Sequence, residues 1–139
     1  MSKNVIIFTN ENGGVSVCIP TGELPIEQVQ SRDIPGNVQS YIIGADTLPE
    51  EDGDFFNAWE QTNGVVTVNI TKAKEITKRR LRQEREPLLA AQDVLYMRAL
   101  EAGQDTTAIV AEKARLRDIT TLADPCTTTA ELRALRVTA

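Results

Sequence analysis

TKAKEITKRRLRQEREPLLAAQDVLYMRALEA, residues 71–102, sets the architecture of the chain. These thirty-two residues contain no glycine and are dominated by Ala, Leu, Lys, Arg, Glu and Gln, all strong helix formers. Asn69 or Thr71 can cap the start, and Gly103 can end the run as its C′ residue. A helix of that length would span about 48 Å. Pro87 interrupts it. Inside a helix this residue removes one backbone hydrogen bond and crowds Gln83, at a cost of about 3 kcal/mol. The segment is therefore expected to be one kinked helix or two helices meeting near Glu86-Pro87. Leu81, Leu88, Leu95 and Ala102 recur every seven residues with Ala91 between them, a short apolar seam of coiled-coil spacing whose second row Glu84 and Arg98 spoil.

Downstream, Asp105 is a natural cap for a second helix from Thr106 or Thr107 to about Ala123, with Ile109, Leu116 and Ile119 as its stripe. A short connection and antiparallel packing make a helical hairpin. Asp124-Pro125 breaks the second helix. Thr128-Thr129-Ala130-Glu131 is a capping box for a last helix through Leu132 and Leu135.

Upstream the period changes. Asn4 to Thr9 is a β-branched run, Asn10 to Gly14 is a turn, and Val15, Val17 and Ile19 alternate with Ser16 and Cys18, which together make a β-hairpin. Leu24 to Gln30 can form a short helix with Pro25 in its first turn, an inner face of Ile26, Val29 and Asp33-Ile34, and Pro35-Gly36 as its stop. Tyr41 to Ile43 is a further strand, and Thr47 to Asp54 a loop. Phe55 to Glu60 is expected to pair with Val65 to Ile70 across a turn holding Asn63-Gly64. Phe56 and Trp59 lie three apart, so one packs on the core while the other caps an edge. The expected fold class is α+β: a small N-terminal antiparallel β-hairpin region followed by a C-terminal helical hairpin with a long, Pro-kinked helix. The expected lobes are 1–70, β-rich and acidic, and 71–139, helical.

Charge follows the same division. Residues 1–70 carry ten acidic and two basic side chains, and residues 71–139 carry ten acidic and thirteen basic ones. With aromatics at 4%, the core must be aliphatic. Histidine is absent, which removes the commonest acid–base residue near neutral pH and every Ser-His-Asp or Cys-His arrangement. Cys18 and Cys126 are expected to be free thiols, and without histidine they cannot complete a four-ligand zinc site. The acidic stretch Glu50, Glu51, Asp52 and Asp54 lacks the alternating ligands and closing glutamate of a calcium loop, and reads as solvated. The basic run Lys72, Lys74, Lys78, Arg79, Arg80, Arg82 and Arg85 is diluted by Glu75, Glu84 and Glu86 and has no interleaved aromatics. It reads as a charged helix exterior or an intramolecular contact with the acidic half, in preference to a nucleic-acid surface. Asp93 could serve catalysis; capping a neighbouring chain or pairing with an arginine such as Arg98 is the plainer reading. No catalytic, cofactor or metal residues are assigned. No apolar run suits a membrane span, and Val5 to Phe8 is too short for a signal-peptide core, so a cytoplasmic location is expected.

Four phrases belong together: Asp54 to Glu60, Lys72 to Ile76, Arg85 to Asp93, and Leu116 to Thr120. With an arginine, a leucine pair and an aspartate followed by Arg-Asp-Ile near the end of the next helix, the chain resembles tail-fibre-associated proteins of tailed bacteriophages, and its later part the helical segment of phage tail assembly chaperones. The resemblance covers residues 54 to about 122. Asp124-Pro125-Cys126 departs from the tryptophan- and proline-rich tail of that family. The resemblance implies a protein without catalytic residues, at work in the host cytoplasm during assembly or in the virion tail. Its implied partner is a tail-fibre or tail-tip protein, with a homo-oligomer as a further option.

Two roles follow from that likeness, an assembly chaperone and a structural virion component. A small histidine-free enzyme is a third reading. Because the helical arm is long and sparsely apolar, its expected contact surface is Leu81, Leu88, Leu95 and Tyr96, with Arg82 and Arg85 on the rim.

Overall fold

A computed structural model describes residues 3–138; the outermost residues of both expected lobes lie outside that range. The fold is α+β, antiparallel strands followed by a long helix and further helices. It divides into two compact units, the first ending at Ala73 and the second beginning at Lys74.

In the first unit, β1 (Asn4–Thr9) is the central strand of an antiparallel sheet ordered β2-β1-β3, with β2 at Val15–Cys18 and β3 at Ser40–Gly44. The β1–β2 turn is built on Asn10. Its Oδ1 accepts from the backbone N–H groups of Asn12 (3.0 Å) and Gly14 (3.1 Å), and Gly13 takes φ 81°. Alternate β1 residues enter different cores. Val5 and Ile7 pack with Val15 and Trp59, while Ile6 packs with Val29 and Ile34 beside α1 (Ile26–Asp33). Both faces are covered, which accounts for an unbroken apolar run where a half-exposed strand would alternate. β2 stops at Cys18, so Ile19 lies beyond it and is exposed. Helix α1 ends at Asp33, because Ile34 precedes a proline and adopts an extended conformation.

The expected strand from Phe55 is corrected. Glu50–Ala58 is a kinked 3-10 segment, and β4 covers only Trp59–Thr62, paired with β5 (Val65–Val68). Phe55 and Ala58 are both buried, and their spacing of three matches a 3-10 turn and not a pleat. The indole Nε1 of Trp59 donates to Asp52 O (3.2 Å) and folds the acidic stretch back. Trp59 is buried, while Phe56 is partly exposed with its ring 4.9 Å away. Asn63 and Gly64 have φ 52° and 85°, the two positive values of a type I′ hairpin turn.

Helix α2 is a single element, Ile70–Glu101, running through Pro87; the chain does not divide there. Asn69 is its cap, its Oδ1 accepting from Lys72 N (3.1 Å). At the other end Gln104 N donates to Ala99 O (2.8 Å) and Gly103 N to Leu100 O (3.2 Å), with Gly103 at φ 68°, a Schellman closure. α3 (Thr107–Asp118) follows, then a 3-10 turn Ile119–Ala123 where continued α-helix was expected, then α4 (Thr129–Ala134). Asp105 Oδ1 accepts from Thr107 N (3.0 Å). Thr128 Oγ1 accepts from Glu131 N (3.1 Å), and Glu131 reaches back to Thr127. The second unit centres on Leu81, Leu116, Ile119 and Val137, with Leu88, Leu89 and Leu135 packed against them. α2 meets the middle of α3 at Asp93–Lys113 (2.7 Å), and Arg85 reaches Arg117 O (2.7 Å); this order of contacts makes the pair antiparallel.

Candidate functional site

The basic run on α2 has a specific structural use. Four of its cations close the ends of other elements in the second unit. Lys74 Nζ donates to Asp124 O (2.7 Å), and Lys78 Nζ pairs with the Asp124 carboxylate (2.6 Å). Arg80 Nη2 donates to Leu135 O (2.9 Å) and Leu132 O (3.3 Å) at the end of α4. Arg85 Nη1 donates to Arg117 O (2.7 Å) and Leu116 O (3.3 Å) in the last turn of α3. Lys74, Arg80 and Arg85 satisfy carbonyls that a helix end leaves open, at the negative pole of the dipole, and Lys78 adds an ion pair beside the first of them. Arg115 adds a bond to Val137 O (2.9 Å). In the first unit, Lys72 pairs with Glu60 (2.8 Å).

These contacts redistribute the expected surface. Leu81 is 0% exposed, a core residue and not a partner contact, because it faces Leu116 and Ile119. Leu88 packs against the same core. Arg85 is committed to α3. Tyr96 is half-buried, with Lys113 Nζ 5.1 Å from its ring centroid, so it joins the hairpin. Only Arg82 and Leu95 remain as exposed members of the expected set. The seven-residue seam drifts away from α3 along the helix because seven residues fall about 20° short of two helical turns. Its early leucines face inward and its late one outward.

Four exposed apolar residues escaped the sequence reading: Val94, Met97 and Leu100 on α2, and Val110 on α3. With Leu95 they are half of the ten large hydrophobics that stand exposed among the described residues, all near the turn of the α2–α3 hairpin. Mixed 3- and 4-residue spacings around Ala90, Val94 and Met97 were the available signal. The first unit exposes apolar surface in another place. There Ile19, Leu24 and Ile26 line a recess of about 380 Å³ beside Lys3 and Asn4.

Converging chemical groups are less in evidence. Among the described residues there is no group of three or more His, Cys, Asp or Glu side chains placed to hold a metal ion. Asp93 pairs with Lys113 (2.7 Å) and not with Arg98. Cys18 and Cys126 are free thiols. The shifted carboxyls sit in structural contacts: Lys78 lowers Asp124, Lys72 with Asn69 lowers Glu60, and Arg115 lowers Glu112. Among the described residues no helix is long and apolar enough to cross a membrane. No protein-family model, curated protein or solved structure matches the chain.

Proposed function

We propose that the chain is a protein-binding module that performs no chemistry of its own. The observation that supports this reading is the exposed apolar end of the α2–α3 hairpin, where Leu95, Leu100 and Val110 stand in solvent with Arg82 farther along the arm. A small domain that leaves several large apolar side chains exposed around one helical turn has surface to offer a partner.

The particular role we propose is that of a tail-fibre assembly chaperone of a tailed bacteriophage, acting in the host cytoplasm. Support comes from the resemblance carried by residues 54–122. A fibre is a β-rich trimer whose edges stay open until it closes, and a helical arm with an apolar end could cover them.

The test is affinity recovery of tagged chain from infected cells, combined with mass spectrometry of purified particles. A chaperone is recovered with fibre protein and is absent from particles. Leu95→Asp with Leu100→Asp is expected to reduce that recovery at least about tenfold, and Arg82→Glu to reduce it less. Presence in particles at a multiple of three or six would replace the chaperone role with that of a virion component. Recovery without fibre protein would sink both.

A further inference from the structure

The outer face of α2 has a pattern of its own. At about 100° per residue, Gln83, Ala90, Val94, Met97 and Glu101 fall within an arc of about 60°, with Pro87 at its margin and Arg79 one turn before Gln83. All are exposed, Val94 at 49% and Met97 at 57%. The arc lies opposite Leu81, Arg85, Tyr96 and Ala99, which face the rest of the unit. An ordinary solvent face would be polar in the middle. This one is apolar in the middle, with a cation at its N-terminal end and a carboxylate at its C-terminal end. Among the described residues neither Arg79 nor Glu101 has a side-chain hydrogen bond or ion pair, in contrast with Lys72, Lys74, Lys78, Arg80 and Arg85.

We propose that this face is a two-fold interface between copies of the chain, with two α2 helices antiparallel about the level of Gln92. Positions 83, 87, 90, 94, 97 and 101 alternate 4- and 3-residue steps, the spacing of a helix–helix seam. In the antiparallel register Ala90 of one copy packs on Val94 of the other, and Pro87 on Met97. Gln83 meets Glu101, and Arg79 comes within a helical turn of the same carboxylate. Two-fold symmetry repeats each pairing. Ala90 at the middle permits an axial separation near the lower end of the usual range, about 8 Å.

Charge favours a second copy over an unrelated occupant. Residues 72–85 hold seven basic and two acidic side chains, and residues 86–105 one basic and four acidic. This polarity is the reverse of what the helix dipole would select. An antiparallel copy lays the acidic half of each helix along the basic half of the other. A parallel copy would set Arg79 against Arg79 and Glu101 against Glu101.

The interface requires no fibre, so it stands or falls separately from the proposed function. The experiment is sedimentation equilibrium of the purified full chain from about 1 to about 200 µM, a range suited to a modest interface. Wild type is expected to pass from monomer to dimer. Met97→Asp is expected to stay monomeric with unchanged helicity. Arg79→Glu and Glu101→Arg are each expected to weaken dimerisation about tenfold, and the double variant to restore it. Because these positions are exposed, the exchange leaves the core intact. A wild-type monomer throughout, a Met97→Asp dimer as tight as wild type, or a double variant no better than the singles would each overturn the proposal.

Discussion

At the scale of single residues, the clearest contrast lies within one heptad seam. Leu81 and Leu95 look alike in the sequence, yet the first is fully buried and the second half-exposed. Leu81→Ala is expected to cost about 2–5 kcal/mol through lost burial and the cavity left behind. Leu95→Ala is expected to change stability by less than about 0.5 kcal/mol. Urea unfolding of the two variants measures the difference, and equal losses would remove Leu81 from its place in the core. Gly64 offers a second check. It combines φ 85° with Tyr41 side-chain atoms 3.4 Å from where a Cβ would stand. Gly64→Ala is expected to destabilise by about 1–2 kcal/mol, read by the same unfolding curves. Asn63-Gly64, Gly103 and Thr128 could be placed from sequence, and Asn69 as one of two candidate caps, because caps and turns rest on local geometry; the cap position of α3 falls on Thr106, one residue after the expected Asp105. The inward turn of Leu81 and Leu88 and the docking of Arg85 could not, since the residues they meet lie some thirty positions away.

Among elements, α2 organises the second unit through its cations as much as through its apolar stripe. Arg80→Met keeps most of the aliphatic stem and deletes the donors to Leu132 O and Leu135 O. It is expected to cost about 1–2 kcal/mol and to increase amide exchange in α4 more than in the first unit. Equal exchange in both would mean that the capping contacts contribute nothing local. Because α2 continues through exposed Pro87, Pro87→Ala is expected to raise stability by up to about 3 kcal/mol; a loss would mean that the ring packs against something worth more. The long helix was legible because its composition is uniform and its caps are local. Segment 55–58 differs from the expected strand because aromatic residues near a turn suit a strand as well as a 3-10 coil, and the bond from Trp59 to Asp52 O that selects the coil is a side-chain contact that residue pattern does not show.

For the whole molecule, pH dependence follows from the depressed carboxyls. Glu60, Asp105, Glu112, Asp124 and Glu131 all lie below their ordinary values, held there chiefly by Lys72, Thr107, Arg115, Lys78 and Thr127 respectively. Groups that bind protons more weakly when folded contribute stability above their unfolded values and lose it as pH falls through their folded ones. Melting temperature is therefore expected to fall progressively below about pH 4. With no histidine in the chain, it is expected to stay nearly flat between about pH 5.5 and 8; a step near pH 6.5 would point to an ionisation outside this set. The two-unit organisation also supplies its own spectroscopic labels. The single tryptophan, Trp59, is buried in the first unit, whereas most of the helix lies in the second. Indole emission therefore follows the melting of one half and far-ultraviolet dichroism chiefly that of the other. Coincident or separated transitions would tell whether the halves unfold together, without any dye or tag.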